Sequence, residues 1–224
     1  MNRRSYALIE GYMLSCMKDA AHDKEHVYRV LNNAVRIGRA EGAVDWDVLI
    51  AAALLHDISR PEQIADPTVD HASHGAEKAH AFLHQQGFPM DFCDHVRACI
   101  RTHRFRKAEQ PASLEARILF DADKLDVAGA IGIARTLAYN GETGRPIYTR
   151  DVKGVISDGT GDCADSFFRE YKFKLEGICE HFLTEAGRAL ARERHAAAKQ
   201  YYEALLRDVR DDAGLAALET LLDA

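Results

Sequence analysis

Two adjacent side chains that both take metal ions, His56 and Asp57, close the apolar run Leu49-Ile50-Ala51-Ala52-Ala53-Leu54-Leu55. Neighbouring residues on a helix point about 100° apart. The pair therefore reaches around one ion beside the helix end and does not form a flat surface patch. The apolar run ahead of it places this end inside the protein, where a carboxylate and an imidazole together are costly unless they pair or hold a cation. Taken alone, the pair leaves a buried Asp–His hydrogen bond and a metal site both open.

Further groups of the same chemistry recur at interior positions. His26 shares a helix face with Val30 and Ile37, so it points inward from the first turn of a helix over about residues 24–41. His71 opens a helix in His71-Ala72-Ser73-His74-Gly75-Ala76, and His103 continues the stripe Val96, Cys99, Ile100 at spacings of three and four. Asp123 and Asp126 share a face with Leu119 and Val127 in the stretch 114–132, two acids in an apolar setting that a buried cation would explain. A lone inward histidine is most often a hydrogen-bonded core residue. Five separate segments each delivering His or Asp to the interior are a different matter. Nitrogen and carboxylate donors without thiolate suit Mn, Fe, Zn, Co or Ni, or Mg at the carboxylates. The basic cluster Arg101, Arg104, Arg106 and Lys107 reads as a solvated helix end or, beside a metal, as a phosphate contact.

The elements that must position these groups read as helices almost throughout. Apolar residues recur at helical spacing over 5–20, over 24–41 behind an N-cap at Asp23, and from Asp45 to the His56-Asp57 pair, with Pro61 as the stop. Residues 60–71 read as a loop suited to the rim of a pocket. Asp91 is the expected N-cap of the helix that carries Val96 to His103. The pattern dissolves between Tyr139 and Asp165, in a lid or mobile loop. Phe167, Phe168, Phe173, Leu175, Ile178, Phe182 and Leu183 restore helical packing. A last amphipathic helix runs from Ala186 to about Leu206, with a short helix over 213–224. With no internal repeat and almost no β signal, the expectation is one all-α domain over 1–224.

Composition narrows the classes further. The net charge of −6 gives no general pull toward nucleic acid or an anionic membrane, so no stable nucleic-acid partner is expected and a phosphate substrate needs a local positive site. No apolar run reaches the ~20 residues of a membrane span. The five cysteines Cys16, Cys93, Cys99, Cys163 and Cys179 form no C-x-x-C pair, which points to a reduced, cytoplasmic protein.

In order and spacing, His26 in His26-Val27-Tyr28-Arg29-Val30, then His56-Asp57, then Asp123 in Ala122-Asp123-Lys124-Leu125 resemble the H…HD…D pattern of the HD-domain phosphohydrolase superfamily. The likeness is closest to a bacterial branch with nucleotide pyrophosphohydrolase activity. It extends through Asp121–Asp126, Gly129-Ala130-Ile131-Gly132-Ile133-Ala134-Arg135 and the tail Thr184–Arg188. The resemblance implies an all-helical bundle with an HD core over about 22–130 and a helical extension over about 131–224. It also implies one divalent ion (Mn, Fe, Ni, Co, Zn or Mg) on His26, His56, Asp57 and Asp123. His71 and His103 match the positions of added histidines in two-metal relatives, so they stand as ligands of a second ion or as phosphate-facing catalytic groups beside Asp57. Some relatives place a Glu soon after the HD pair, where this chain reads Ile58-Ser59-Arg60.

The activity implied is hydrolysis of a phosphate compound, foremost a nucleoside triphosphate to monophosphate and pyrophosphate. Phosphodiesterase or 5′-nucleotidase action on the same site, and a catalytically silent nucleotide- or metal-binding regulator, are the alternatives. Asp126, one turn beyond Asp123, is a candidate to orient a ligand or accept a proton. Lys124, Arg60, Arg104 and Arg135 are the candidate phosphate contacts. The partner expected is a small phosphate compound, with a homodimer left open.

Overall fold

The computed structural model describes residues 1–17, 24–104, 109–162 and 164–222. Asp23, Arg106, Lys107 and Cys163 lie outside them. Among the described residues the chain is all-α, and the one β feature is an isolated bridge between Arg150 and Ile156. It divides into two compact units, Met1–Asp126 with Phe182–Leu190, and Val127–His181 with Ala191–Ala224.

The first unit holds α1 (Arg3–Cys16), α2 (Lys24–Glu41), α3 (Trp46–Leu55), α4 (Arg60–Ala65), α5 (His71–Gln85), α6 (Met90–Arg101) and α7 (Leu114–Leu125). The centre is α3, whose residues Val48, Leu49 and Ala51–Leu55 are all buried. A helix apolar nearly all round has to be enclosed, and α1, α2, α6 and α7 pack on it while α5 packs on α6. Asp45 starts α3 by accepting the backbone N–H groups of Asp47 and Val48, and Ser113 starts α7 by accepting that of Ala116. Gly42 and Gly87 follow α2 and α5 at φ 101° and 81°, the left-handed conformation in which helices end at least cost on glycine.

Three local expectations are corrected. Where the sequence predicts a loop over 60–71, the chain forms α4 first. Pro61 lies in its opening turn, where no N–H is needed, so it starts a helix instead of stopping one. The N-cap of α6 is Pro89, and Asp91 sits inside the first turn. Nor does the helix run on to Val127, as a face shared by Asp123, Asp126 and Val127 predicts: α7 stops at Leu125, Asp126 is its C-cap, and Gly129 takes φ 74° where the chain turns helical again.

Asp121 has a structural task. It is fully buried; Oδ1 accepts the N–H of Leu183 at 2.8 Å, and Oδ2 accepts the N–H and hydroxyl of Thr184 at 2.7 and 2.6 Å. A Cβ at Gly187 would lie 2.4 Å from Oδ2, so only glycine lets the chain pass there. Asp121→Ala leaves these donors buried without an acceptor, and a loss of about 3 kcal/mol or more is expected, read as a lower urea midpoint.

The second unit opens with α8 (Gly129–Glu142). Residues 143–162 and 164–166 are irregular, and the segment is tied down at several points: the N–H groups of Phe167 and Phe168 donate to the carbonyls of Pro146 and Ile147, and the Tyr202 hydroxyl donates to that of Asp158. Then come α9 (Phe167–Glu170), a π-helical turn (Tyr171–Leu175), a 3-10 turn (Ile178–His181), the length of α10 (Glu185–Arg210) beyond Leu190, and α11 (Ala213–Leu222). Its core stacks Tyr171 on Tyr202 at 4.0 Å, with Phe168 edge-on to Tyr202. Phe173, which the spacing predicts inside, is 63% exposed under the Arg169 guanidinium. The π-turn inserts extra backbone and rotates the face that follows. Among the described residues no helix is long and apolar enough to cross a membrane.

Candidate metal centre

The first turn of α2 supplies His26, the C-cap of α3 is His56 with Asp57 next to it, α5 begins at His71, His103 follows α6 by two residues, and the last turn of α7 carries Asp123. These ends converge. His26 Nε2 lies 3.3 Å from His56 Nε2, 3.2 Å from Asp123 Oδ1 and 3.6 Å from Asp57 Oδ2. The other oxygen of Asp57 faces away from that group: Oδ1 is 3.2 Å from His71 Nε2 and 3.9 Å from His103 Nε2. Two sets with metal-ligand spacing result, His26–His56–Asp123 and Asp57–His71–His103, and the carboxylate of Asp57 stands between them. The four imidazoles are buried, whereas the side chain of Asp123 is 30% exposed and marks the open side.

Hydrogen positions decide what this cluster can hold. His56 Nδ1 is 2.8 Å from the Ala53 carbonyl and His103 Nδ1 is 2.6 Å from that of Ile100. A carbonyl only accepts, so both rings carry their proton on Nδ1. His26 Nδ1 donates to Asp126 Oδ2 at 2.7 Å. His71 Nδ1 lies 2.5 Å from Gln63 Oε1, which also accepts from Arg60 Nη1 at 3.0 Å and is thereby identified as the amide oxygen. Each neutral ring therefore turns the lone pair of Nε2 toward carboxylate oxygens. Acceptors facing acceptors have nothing to share, so the arrangement requires either a cation or extra protons. An imidazole anchored through Nδ1–H to a carboxylate or carbonyl is the usual form of a metal-binding histidine, and the residues present fit a divalent ion.

The electrostatics agree. Burial alone would lower the pKa of His26, but its hydrogen bonds to Asp123 and Asp126, with the charges of Asp123 and Asp57, raise it to about 9. Burial likewise works to raise Asp57 and Asp123. The histidines around them prevail, so Asp57 falls to about 2 and Asp123 is held below the usual carboxylate range. His56 is lowered by burial, and His71 is lowered to about 3 by burial and then by His103, Arg60 and Arg104. Without a cation, a proton shared by His26 and Asp123 fills the gap. Because the folded-state pKa of His26 is raised, that proton stabilises the cation-free fold below pH 6.5, and the contribution is lost as pH rises through about 9. A cation must displace the proton. Its affinity is therefore expected to rise about tenfold per pH unit toward pH 9, which Mn²⁺ titrations at pH 6, 7 and 8 measure.

The cationic candidates are placed differently. Arg60 reaches the second group, with Nη1 3.1 Å from His71 Nδ1 because both donate to Gln63. Arg104 follows His103 and pairs with Asp70 at 3.4 Å. The Lys124 ammonium lies 4.5 Å from the centre of the Phe120 ring. Arg135 belongs to α8 in the second unit. Two residues that hold side chains of the cluster in place escape a reading by motif. Gln63 lies in the stretch read as loop, and Arg29 donates from Nε and Nη2 to Asp126. Its spacing of three from His26 was the available signal.

Comparison with known proteins agrees with this geometry. Residues 24–128 match the HD domain family. YpgQ of Bacillus subtilis, described as uncharacterized, is 30% identical over 207 residues, spanning 90% of this chain and 92% of its own. Its crystal structure in complex with ADP superposes with a TM-score of 0.70 at 28% identity, over 92% of this chain and 95% of that one. An HD-superfamily hydrolase from an uncultured Thermotogales bacterium shows 32% identity, 92% coverage of each chain and a TM-score of 0.61. The pattern expected from H…HD…D is met in sequence, fold and the meeting of its side chains, and the chain belongs to the HD-domain family of metal-dependent phosphohydrolases.

Proposed function

We propose that this protein hydrolyses a nucleoside triphosphate to the monophosphate and pyrophosphate. The observation that carries the nucleotide is the ADP bound by its relative YpgQ. In this reading His26, His56, Asp57 and Asp123 hold one divalent ion. An ion so held supplies water activated near neutral pH and offsets charge on phosphoryl oxygens.

The chain's own groups do the rest. Asp123 is on the open side, with its side chain 30% exposed, and substrate would reach the site from there. Arg60 and Arg104 carry donors beside the second group, where they can hold phosphate oxygens in bidentate fashion. Lys124, next to Asp123, is the further phosphate contact. His71, lowered to about 3, stays neutral at working pH and offers a lone pair at Nε2 instead of a charge. The turn of Asp57 Oδ1 toward His71 at 3.2 Å favours a second reading of this group, in which His71 and His103 take a second ion and Asp57 is shared.

The test is a panel of nucleoside and deoxynucleoside triphosphates with Mn²⁺, Co²⁺, Ni²⁺ and Mg²⁺, scored by product. Pyrophosphate with monophosphate is expected. Orthophosphate released from a nucleoside monophosphate indicates a 5′-nucleotidase instead, and linearised cyclic nucleotide a phosphodiesterase. Cation and nucleotide binding without turnover across the panel indicates a regulator.

A further inference from the structure

We infer that Arg29 is a positioning residue of the cation site: its guanidinium fixes the carboxylate of Asp126, and that carboxylate fixes the imidazole of His26. The inference rests on the reading of His26 as a ligand.

Asp126 is 1% exposed, and a buried carboxylate needs a partner of opposite charge. Arg29 supplies it as a fork, with Nε 2.6 Å from Oδ1 and Nη2 3.1 Å from Oδ2. Two parallel bonds from a planar group hold the carboxylate in one plane, which a single-point contact cannot do. The oxygen that receives Nη2 is the same Oδ2 that accepts Nδ1–H of His26 at 2.7 Å. The direction of that bond sets the tilt of the ring, and hence where the lone pair on Nε2 points.

The register explains why these three meet. His26 and Arg29 are three apart on α2, on one face, while Asp123 and Asp126 are three apart at the end of α7. The two pairs interlock: His26 meets Asp123 through Nε2 at 3.2 Å and Asp126 through Nδ1, and Arg29 closes the far side. Asp126 terminates α7 as its C-cap, so no helical turn beyond it fixes its side chain; Arg29 does. An ion pair that merely joined α2 to α7 had no need to share an oxygen with the ring that faces the cluster.

The experiment measures Mn²⁺ affinity from the free-ion electron-spin signal, with folding followed by circular dichroism. It compares the native protein with Arg29→Gln, Arg29→Lys, Asp126→Asn and the double variant Arg29→Gln/Asp126→Asn. Arg29→Gln is expected to bind Mn²⁺ about 10- to 100-fold more weakly. Arg29→Lys, which keeps the charge but not the fork, is expected to lose part of that. Because Arg29 acts through Asp126, the double variant is expected to bind no more weakly than Asp126→Asn within about twofold. Native affinity in Arg29→Gln, or losses that multiply in the double variant, overturns the inference. Should Arg29→Gln not fold, Arg29→Lys decides: weakened binding supports the inference and native affinity overturns it. His56→Ala separates the two levels. If it binds Mn²⁺ as the native protein does, or the native protein binds none, the ligand reading itself fails and takes the inference with it.

Discussion

Asp57→Ala is expected to lower cation-dependent turnover by about 10³-fold or more, the several kcal/mol of charge stabilisation that a properly held ion supplies. Its two oxygens face different histidine pairs, at 3.6 and 3.9 Å from His26 and His56 and at 3.2 and 3.9 Å from His71 and His103. Removing the carboxylate takes Asp57 from its own set with His71 and His103 and from its place beside His26 and His56 in the proposed ion site. The fold is expected to survive, because the burial of α3 rests on Val48 to Leu55 and not on the acid that follows. Steady-state rates at saturating Mn²⁺ check the loss and circular dichroism checks the helices. Activity close to native would end the proposed mechanism. His71→Ala discriminates further. If a second ion binds there, the Mn²⁺ stoichiometry of this variant falls from two to one per chain; if it does not, stoichiometry stays at one and only the rate changes.

A chelatable cation is expected to stabilise the protein strongly. A ligand that binds only the folded chain adds about 2.7 kcal/mol when present at about 100 times its Kd. For a chain of this size that is a rise of about 5–10 °C in Tm. The effect is expected to be large because the empty alternative holds acceptors against acceptors, relieved only by protonation of His26. Scanning calorimetry with Mn²⁺, then with excess EDTA, shows the rise and its reversal. His56→Ala is expected to abolish the rise; an equal rise in that variant would place the ion elsewhere.

Much of the site was legible in the sequence because its ligands sit at helix ends that periodicity locates well. His26, His56 and Asp123 each continue a buried stripe, and a polar residue on such a stripe demands an explanation. The helices α2, α3 and α5 could be placed for the same reason, aided by Asp45 and by the glycines 42 and 87. What escaped was set by tertiary partners or by local backbone chemistry. Pro61 breaks a pattern whether it ends a helix or begins one, so α4 was read as loop and Gln63 went with it. Asp126 looks like the next turn of a helix that in fact stops one residue earlier. Arg29 stands three residues from His26, but that spacing alone does not say what the guanidinium holds until Asp126, 97 residues away, comes to meet it. The π-turn at Tyr171–Leu175 has no sequence period of its own, which is why Phe173 was placed on the wrong side.

One feature of the histidines reaches beyond binding. His56 and His103 hang from carbonyls three residues back, at helix ends where such oxygens are short of partners. Closing the helix thus orients the ring through its own backbone, independently of any other ligand. The donors that these rings and their neighbours present, all nitrogen and carboxylate oxygen, are of the kind that suits several first-row metals.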